Sequence, residues 1–209
     1  MFNDRYGLTQ AVFDGRKTMT RRIIKAPKRI NGYDTNGFIV CQDIATHEVT
    51  GIYARGYDGG TIDDIEILPK YEIGEVVAVA QGYKNADINP DSIVSYKEDG
   101  TPVTAIQSPG WINKMFVRAD LMPHQIRIAC IRIERLQEIS DEDCMKEGIR
   151  YIPEIGKFYF EDVLREAGFY FDNPREAFAA LIDKVSGRGT WESNPYVVVY
   201  KIEQLYDKL

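Results

Sequence analysis

The sequence predicts an α+β fold built around a curved or barrel-like mixed sheet, and three observations carry that expectation. Six or more segments have strand character, three or four short segments carry helix caps, and the two kinds never settle into a regular βαβ alternation. The chain has 209 residues, of which 44% are hydrophobic, enough for one large domain with its own core.

Taken in order, "GLTQAVFD" at 7–14 reads as a short helix, with Leu8, Ala11 and Val12 on one side and Gly15 placed to end it. From about 30 to 70 the pattern is hairpin-like: the apolar runs "FIV" and "GIYA" are followed by the turn-rich "GYDGG" at 56–60. "IGEVVAVAQ" at 73–81 is expected to be a buried strand. "DSIVSYKEDGTPVTAI" reads as two strands joined through Asp99 and Gly100. The segment 108–123, broken by Pro109, Gly110 and Pro123, is irregular.

The strongest strand is "QIRIACIRIERL". Its apolar positions run 126, 128, 130 and then change phase to 131 and 133, which predicts a β-bulge or a stretch buried on both faces, with Cys130 as a small core residue. Ser140, with Asp143 three residues on, opens a short helix that ends near Gly148. "YFEDVLREAG" is expected to form another. The clearest helix is "NPREAFAALIDKVSG": Asn173 is the cap, Pro174 lies in the first turn, Glu176 closes a capping box, and Phe178, Leu181, Ile182 and Val185 follow at helical spacing. "PYVVVYKIEQL" closes the chain as a strand.

Composition removes several function classes. The apolar runs "VVAVA" and "YVVVY" are far shorter than the roughly 20 residues a membrane span needs, and the N-terminal residues lack a secretory pattern, so a cytoplasmic protein without a membrane partner is expected. Cys41, Cys130 and Cys144 are odd in number and widely spaced, which suggests neither a disulfide framework nor a thiolate zinc site. With only His47 and His124, a multi-histidine metal centre is impossible, and neither metal nor cofactor is expected. The formal charge of −6 argues against indiscriminate nucleic-acid binding. Yet residues 15–29 hold Arg16, Lys17, Arg21, Arg22, Lys25, Lys28 and Arg29 with no acid among them, a local positive site on an acidic body.

Four elements recur together in order: "GRKTMTRR" after the first helix, "GEVVAV", the alternating strand leading to "LQEISDEDCMKEGI", and "AFAALIDKVSGRGTWESNPYVVVYKIE". In this the chain resembles the ASCH superfamily, and most of all its larger phage and prophage members. The resemblance covers roughly 5–25, 72–82 and 108–204. It implies a PUA-like β-barrel (ASCH) with short flanking helices, a single elaborated domain over 1–209, and insertions at about 26–70 and 150–170. It further implies a cleft that binds RNA or a nucleoside or nucleotide. Some small members deacetylate N4-acetylcytidine, and that amidohydrolase site carries over onto Lys17, Thr20 and Glu147.

That chemistry stands on its own terms: Thr20 attacks or positions water, Lys17 accepts a proton, and Glu147 activates water or protonates the leaving amine. Lysine is a poor base at its reference pKa of about 10.4, so the site must lower that value by roughly three units. Burial and the neighbouring arginines act in that direction, and Glu147 acts against it. Arg16, Arg21, Arg22, Trp111 and Lys114 are the candidate ligand contacts. Trp111, Lys114, Met115 and Phe116 divide between a pocket-covering loop and plain core, and Trp191 reads as a packing residue. Gln81 stands where larger ASCH proteins carry an acid. The principal alternative to RNA or nucleoside binding is catalysis; a third reading is an accessory protein whose basic segment docks another protein.

Overall fold

The computed structural model describes all residues except 1, 26–27, 31, 46–48, 57–60, 68, 163–168 and 206–209. The chain begins with α1 (Leu8–Phe13) and β1 (Met19–Ile23), followed by β2 (Arg29–Ile30), β3 (Tyr33–Asp34), β4 (Phe38–Gln42), β5 (Val49–Arg55), β6 (Thr61–Glu66) and β7 (Val76–Ala78). The hairpin strands β8 (Ile93–Tyr96) and β9 (Pro102–Thr104) precede three 3₁₀ turns between Pro109 and Leu121. Then come β10 (Gln125–Arg135), α2 (Asp141–Lys146), β11 (Arg150–Ile152), β12 (Lys157–Phe160), β13 (Phe169–Phe171), α3 (Pro174–Ser186), α4 (Thr190–Ser193) and β14 (Tyr196–Leu205).

The organising element is a curled antiparallel sheet of order β1-β14-β10-β7, so the architecture is α+β with a barrel-like sheet. The first and last strands of the matched elements meet here, with Arg21 opposite Val199 and Thr20 opposite Tyr200. On one face, Val197, Val199, Met19 and Ile139 pack against α3 and β12, with Phe160, Phe178 and Leu181 buried between them. On the other face, Val198, Tyr200, Ile128 and Ile126 pack against Ile52 of β5 and Val12 of α1. A smaller cluster of Tyr83, Val94, Ala105 and Met122 sits under the β8-β9 hairpin and the 3₁₀ turns. Within 26–70, β4, β5 and β6 form a separate antiparallel sheet, and Ile52 and Ala54 of β5 are buried, Ile52 in the core on the second face of the main sheet.

The bulge in β10 falls between Ile128 and Cys130, where the phase of the apolar residues changes. Its effect on Cys130 differs from expectation. The extra residue rotates Cys130 onto the face shared by Arg132 and Glu134, and the thiol is exposed instead of buried. The buried cysteine is Cys144, whose thiol is pushed by burial up to about 12, beyond the compensating influence of Arg21. Alkylation with iodoacetamide near neutral pH should therefore modify Cys130 in the native protein and reach Cys144 only after unfolding, as read by peptide mass spectrometry. Native modification of Cys144 at the rate of Cys130 would contradict this packing.

Three other expectations change. The 73–81 strand is only three residues long and lies at the sheet edge, with Val76 48% exposed, because Gly74 at φ +89 and the turn around it delay its start. Tyr159 and Phe160, expected to open the 159–168 helix, instead end strand β12, with Phe160 buried against Tyr6 and Phe171; residues 163–168 of that expectation lie outside the described residues. The β8-β9 turn has the anticipated form, with Gly100 at φ +81 and the Asp99 carboxylate accepting from the Thr101 N–H. His47 and the 57–60 turn also lie outside the described residues. No helix among the described residues is long and apolar enough to cross a membrane.

Candidate functional site

The site begins at the exit of α1. Gly15 takes φ +71, which turns the chain so that the Lys17 N–H can bond the Ala11 carbonyl and the Thr18 N–H the Lys146 carbonyl. The two short helices are thus tied together through residues 15–18. At the far end of α2, Gly148 adopts φ +111; its N–H bonds the Met145 carbonyl, and the Ile149 N–H bonds that of Cys144. This positive-φ turn leaves Glu147 as the C-cap residue of α2, just after Lys146. A side chain on Gly148 would meet Leu8 at 3.1 Å, so the close approach of α1 and α2 requires glycine there.

Between these ends, the Lys17 ammonium donates to the Glu147 carboxylate at 2.5 Å and to the Glu147 backbone carbonyl at 2.8 Å. The second contact satisfies one of the carbonyls that a helix C-terminus leaves without a partner, at the end where a cation is favoured. Both side chains are almost fully buried. Burial holds the Lys17 ammonium below its usual 10.5; Glu147 opposes that shift, and Arg22 and Arg21 add to it.

The other Glu147 oxygen is 3.1 Å from the Arg21 guanidinium. Arg21 also donates to Glu134 at 2.8 Å and to Asp143 at 3.2 Å. The register explains the reach: Arg21, Val199 and Arg132 lie side by side on one face of β1, β14 and β10, so the long side chain crosses over a valine to meet Glu134 about 10 Å away. Arg132 completes the set by bonding both Glu134 and Asp143. Lys17, Arg21 and Arg132 therefore face Glu147, Glu134 and Asp143 in a linked network. Burial pushes the Asp143 carboxyl up, but Arg132 and Arg21 outweigh it and hold it below 3.8.

Lys17, Arg21 and Glu147 of this network line a cleft of about 860 Å³. Phe178, Leu181, Ile182 and Val185 of α3 give it one apolar wall, Phe2, Asn3 and Asp4 line it from the N-terminal side, and Ile112 to Met115 border it from the 3₁₀ segment. Arg22 and Lys25 are exposed cations at its edge.

The candidate residues separate clearly. Lys17, Glu147 and Arg21 converge. Thr20 borders the cleft but sits on the opposite face of β1 from Met19 and Arg21, and among the described residues it makes no hydrogen bond to Lys17 or Glu147. Arg16 turns away from the cleft to Asp14 at 2.8 Å, with Glu161 at 4.0 Å, because it precedes the strand and lies on the outer side of the loop. Trp111 does not border the cleft; it packs against the cluster around Tyr83. Lys114 borders the cleft, with its ammonium on Phe2 and Asp4.

Trp191 packs edge-to-face on Phe178, with its backbone N–H donating to the Asp183 carboxylate, as a locking residue should. Gln81 is absent from the cleft lining and bonds the Asn85 carbonyl. Arg118 bonds Asp120 and the Val94 carbonyl, and His124 stacks on Phe13 at 4.3 Å. Glu134, Asp143 and Arg132 are not among the expected site residues, Asp143 being expected only as a helix-start partner of Ser140. The signal for the first and last was present: after the bulge, residues 132 and 134 alternate with Ile131 and Ile133, placing two charges on the face of a central strand. No family model, curated protein or solved structure matches this chain.

Proposed function

We propose that the cleft binds a nucleobase, as a free nucleoside or within RNA, with Lys17 and Glu147 reading its polar edge. The carrying observation is the buried Lys17–Glu147 pair at the end of a cleft whose long wall is apolar. An ammonium has three N–H donors, and Glu147 takes two of them, so the third is left for a ligand carbonyl or ring nitrogen. The Glu147 carboxylate, bonded once at each oxygen by Lys17 and Arg21, keeps acceptor capacity for an exocyclic amine. A flat ring that offers a donor beside an acceptor, and apolar faces to Phe178 and Leu181, fits that description. The resemblance of "GRKTMTRR" and its companion elements to ASCH proteins points to the same ligand class.

Calorimetric titration with cytidine and N4-acetylcytidine tests this. Saturable binding is expected, weakened about tenfold or more in Lys17→Met through the loss of a charged hydrogen bond. No heat with any nucleoside at millimolar concentration would sink the reading. For an RNA strand, affinity should also fall with salt and on Arg22→Ala.

A second reading, hydrolysis of the N4-acetyl group, is favoured by the lowered proton affinity of Lys17 beside a carboxylate. It predicts release of cytidine and acetate with consumption of one water, abolished in Glu147→Ala. Its absence at high protein concentration, with binding intact, would leave a binding protein.

A further inference from the structure

The geometry points to Lys114 as a positioning residue that clasps the N-terminal wall of the cleft shut over Lys17. The inference concerns access to Lys17 whatever fills the cleft, so it goes beyond the nucleobase reading. Lys114 stands on the 3₁₀ segment, and its ammonium bonds the Phe2 carbonyl at 2.5 Å, the Asp4 carboxylate at 2.7 Å and the Thr9 hydroxyl at 3.4 Å. Three donors meet three acceptors, which leaves no N–H for a ligand. A residue expected as a ligand contact is instead committed to the N-terminal segment.

Among its described residues, that segment has no strand or helix before Leu8. It is held to α1 by the Gly7 N–H on the Asp4 carbonyl and the Leu8 N–H on the Asn3 carbonyl, both at 3.0 Å. Thr9 and Asp4 bond each other through their side chains. Phe2, fixed in this way, packs against both main cores and places its ring 6.0 Å from the Lys17 ammonium. The facing wall, Ile112 to Met115, is equally irregular, with Ile112 79% and Met115 69% exposed. Lys114 joins these two walls, whereas α3 and the sheet are fixed by their own cores. Arg5 on Asp162 and the buried Tyr6 against Phe160 hold the other side of the segment, so cutting the Lys114 tie loosens the Phe2–Asp4 end locally.

The test needs no ligand. Acetylation by N-hydroxysuccinimidyl acetate, read at Lys17 by peptide mass spectrometry, is combined with hydrogen exchange at the Leu8 amide. In Lys114→Met and in Asp4→Ala both rates should rise about tenfold, the equivalent of one charged hydrogen bond, while exchange along β14 stays unchanged. Lys114→Arg, which keeps charge and donors, should restore most of the protection of Lys17, an outcome that bulk packing alone would not produce. Unchanged Lys17 acetylation in both variants overturns the proposal, as does faster Leu8 exchange without faster acetylation. If Lys114→Met also loses β14 protection, it has unfolded globally. Asp4→Ala, altered at a side chain 59% exposed, then decides by the same criteria.

Discussion

Arg21→Ala is expected to lower the unfolding free energy by about 3–5 kcal/mol, the cost of breaking a buried ion pair by removing one partner. The side chain is 1% exposed and joins Glu134, Asp143 and Glu147. Its removal leaves three carboxylates close together, with Lys17, Arg132 and Lys146 as their remaining cationic partners. Urea unfolding should show the loss as a lower midpoint at unchanged slope. Arg21→Lys should recover little, because one compact ammonium cannot reproduce a planar fork that serves three acceptors from one place. A loss below about 1 kcal/mol, the range of exposed ion pairs, would mean that water already screens these groups. The cleft would then lack the dry end on which the proposed recognition of a nucleobase rests.

The residues that were legible in the sequence are those whose conformation is fixed locally. The phase change around Cys130 announced the bulge, Asn173 with Pro174 announced α3, and Asp99-Gly100 announced the hairpin; each is a matter of a few neighbouring residues. What was lost depended on partners distant in the chain. Tyr159 and Phe160 open a stretch whose sequence is compatible with a helix, yet they belong to a strand because Phe160 is buried between Tyr6 and Phe171. The carboxylate partners of Arg21 are not legible in the sequence because they lie 113 to 126 residues away, and only the β1-β14-β10 register brings them together. Thr20 shows the limit of a motif: Lys17 belongs to the loop and Thr20 to the strand, so three residues of spacing place them on different sides of β1.

Glu147→Ala and Lys17→Met should differ sharply although they cut the same bond. Without the Glu147 carboxylate, Lys17 keeps only a backbone carbonyl and Arg21 loses one acceptor, so a loss of about 3–5 kcal/mol is expected. Lys17→Met removes a buried cation, fills its space, and leaves Glu147 held by Arg21; a cost under about 1 kcal/mol is expected. The pH dependence gives an independent check. Burial sets the folded proton affinity of Lys17 below its unfolded value of 10.5, so between those values the unfolded chain binds more protons and stability rises with pH. Below that window both states are protonated and the folded chain bears the whole desolvation cost. Urea midpoints followed from neutral pH to 10.5 should therefore climb relative to Lys17→Met, and the difference should vanish if Lys17 titrates normally. Equal losses in the two variants would make the ammonium a structural member of the network. A near-neutral Lys17→Met would mean that the buried ammonium contributes little to holding the fold, and that its place beside Glu147 serves the chemistry of the cleft.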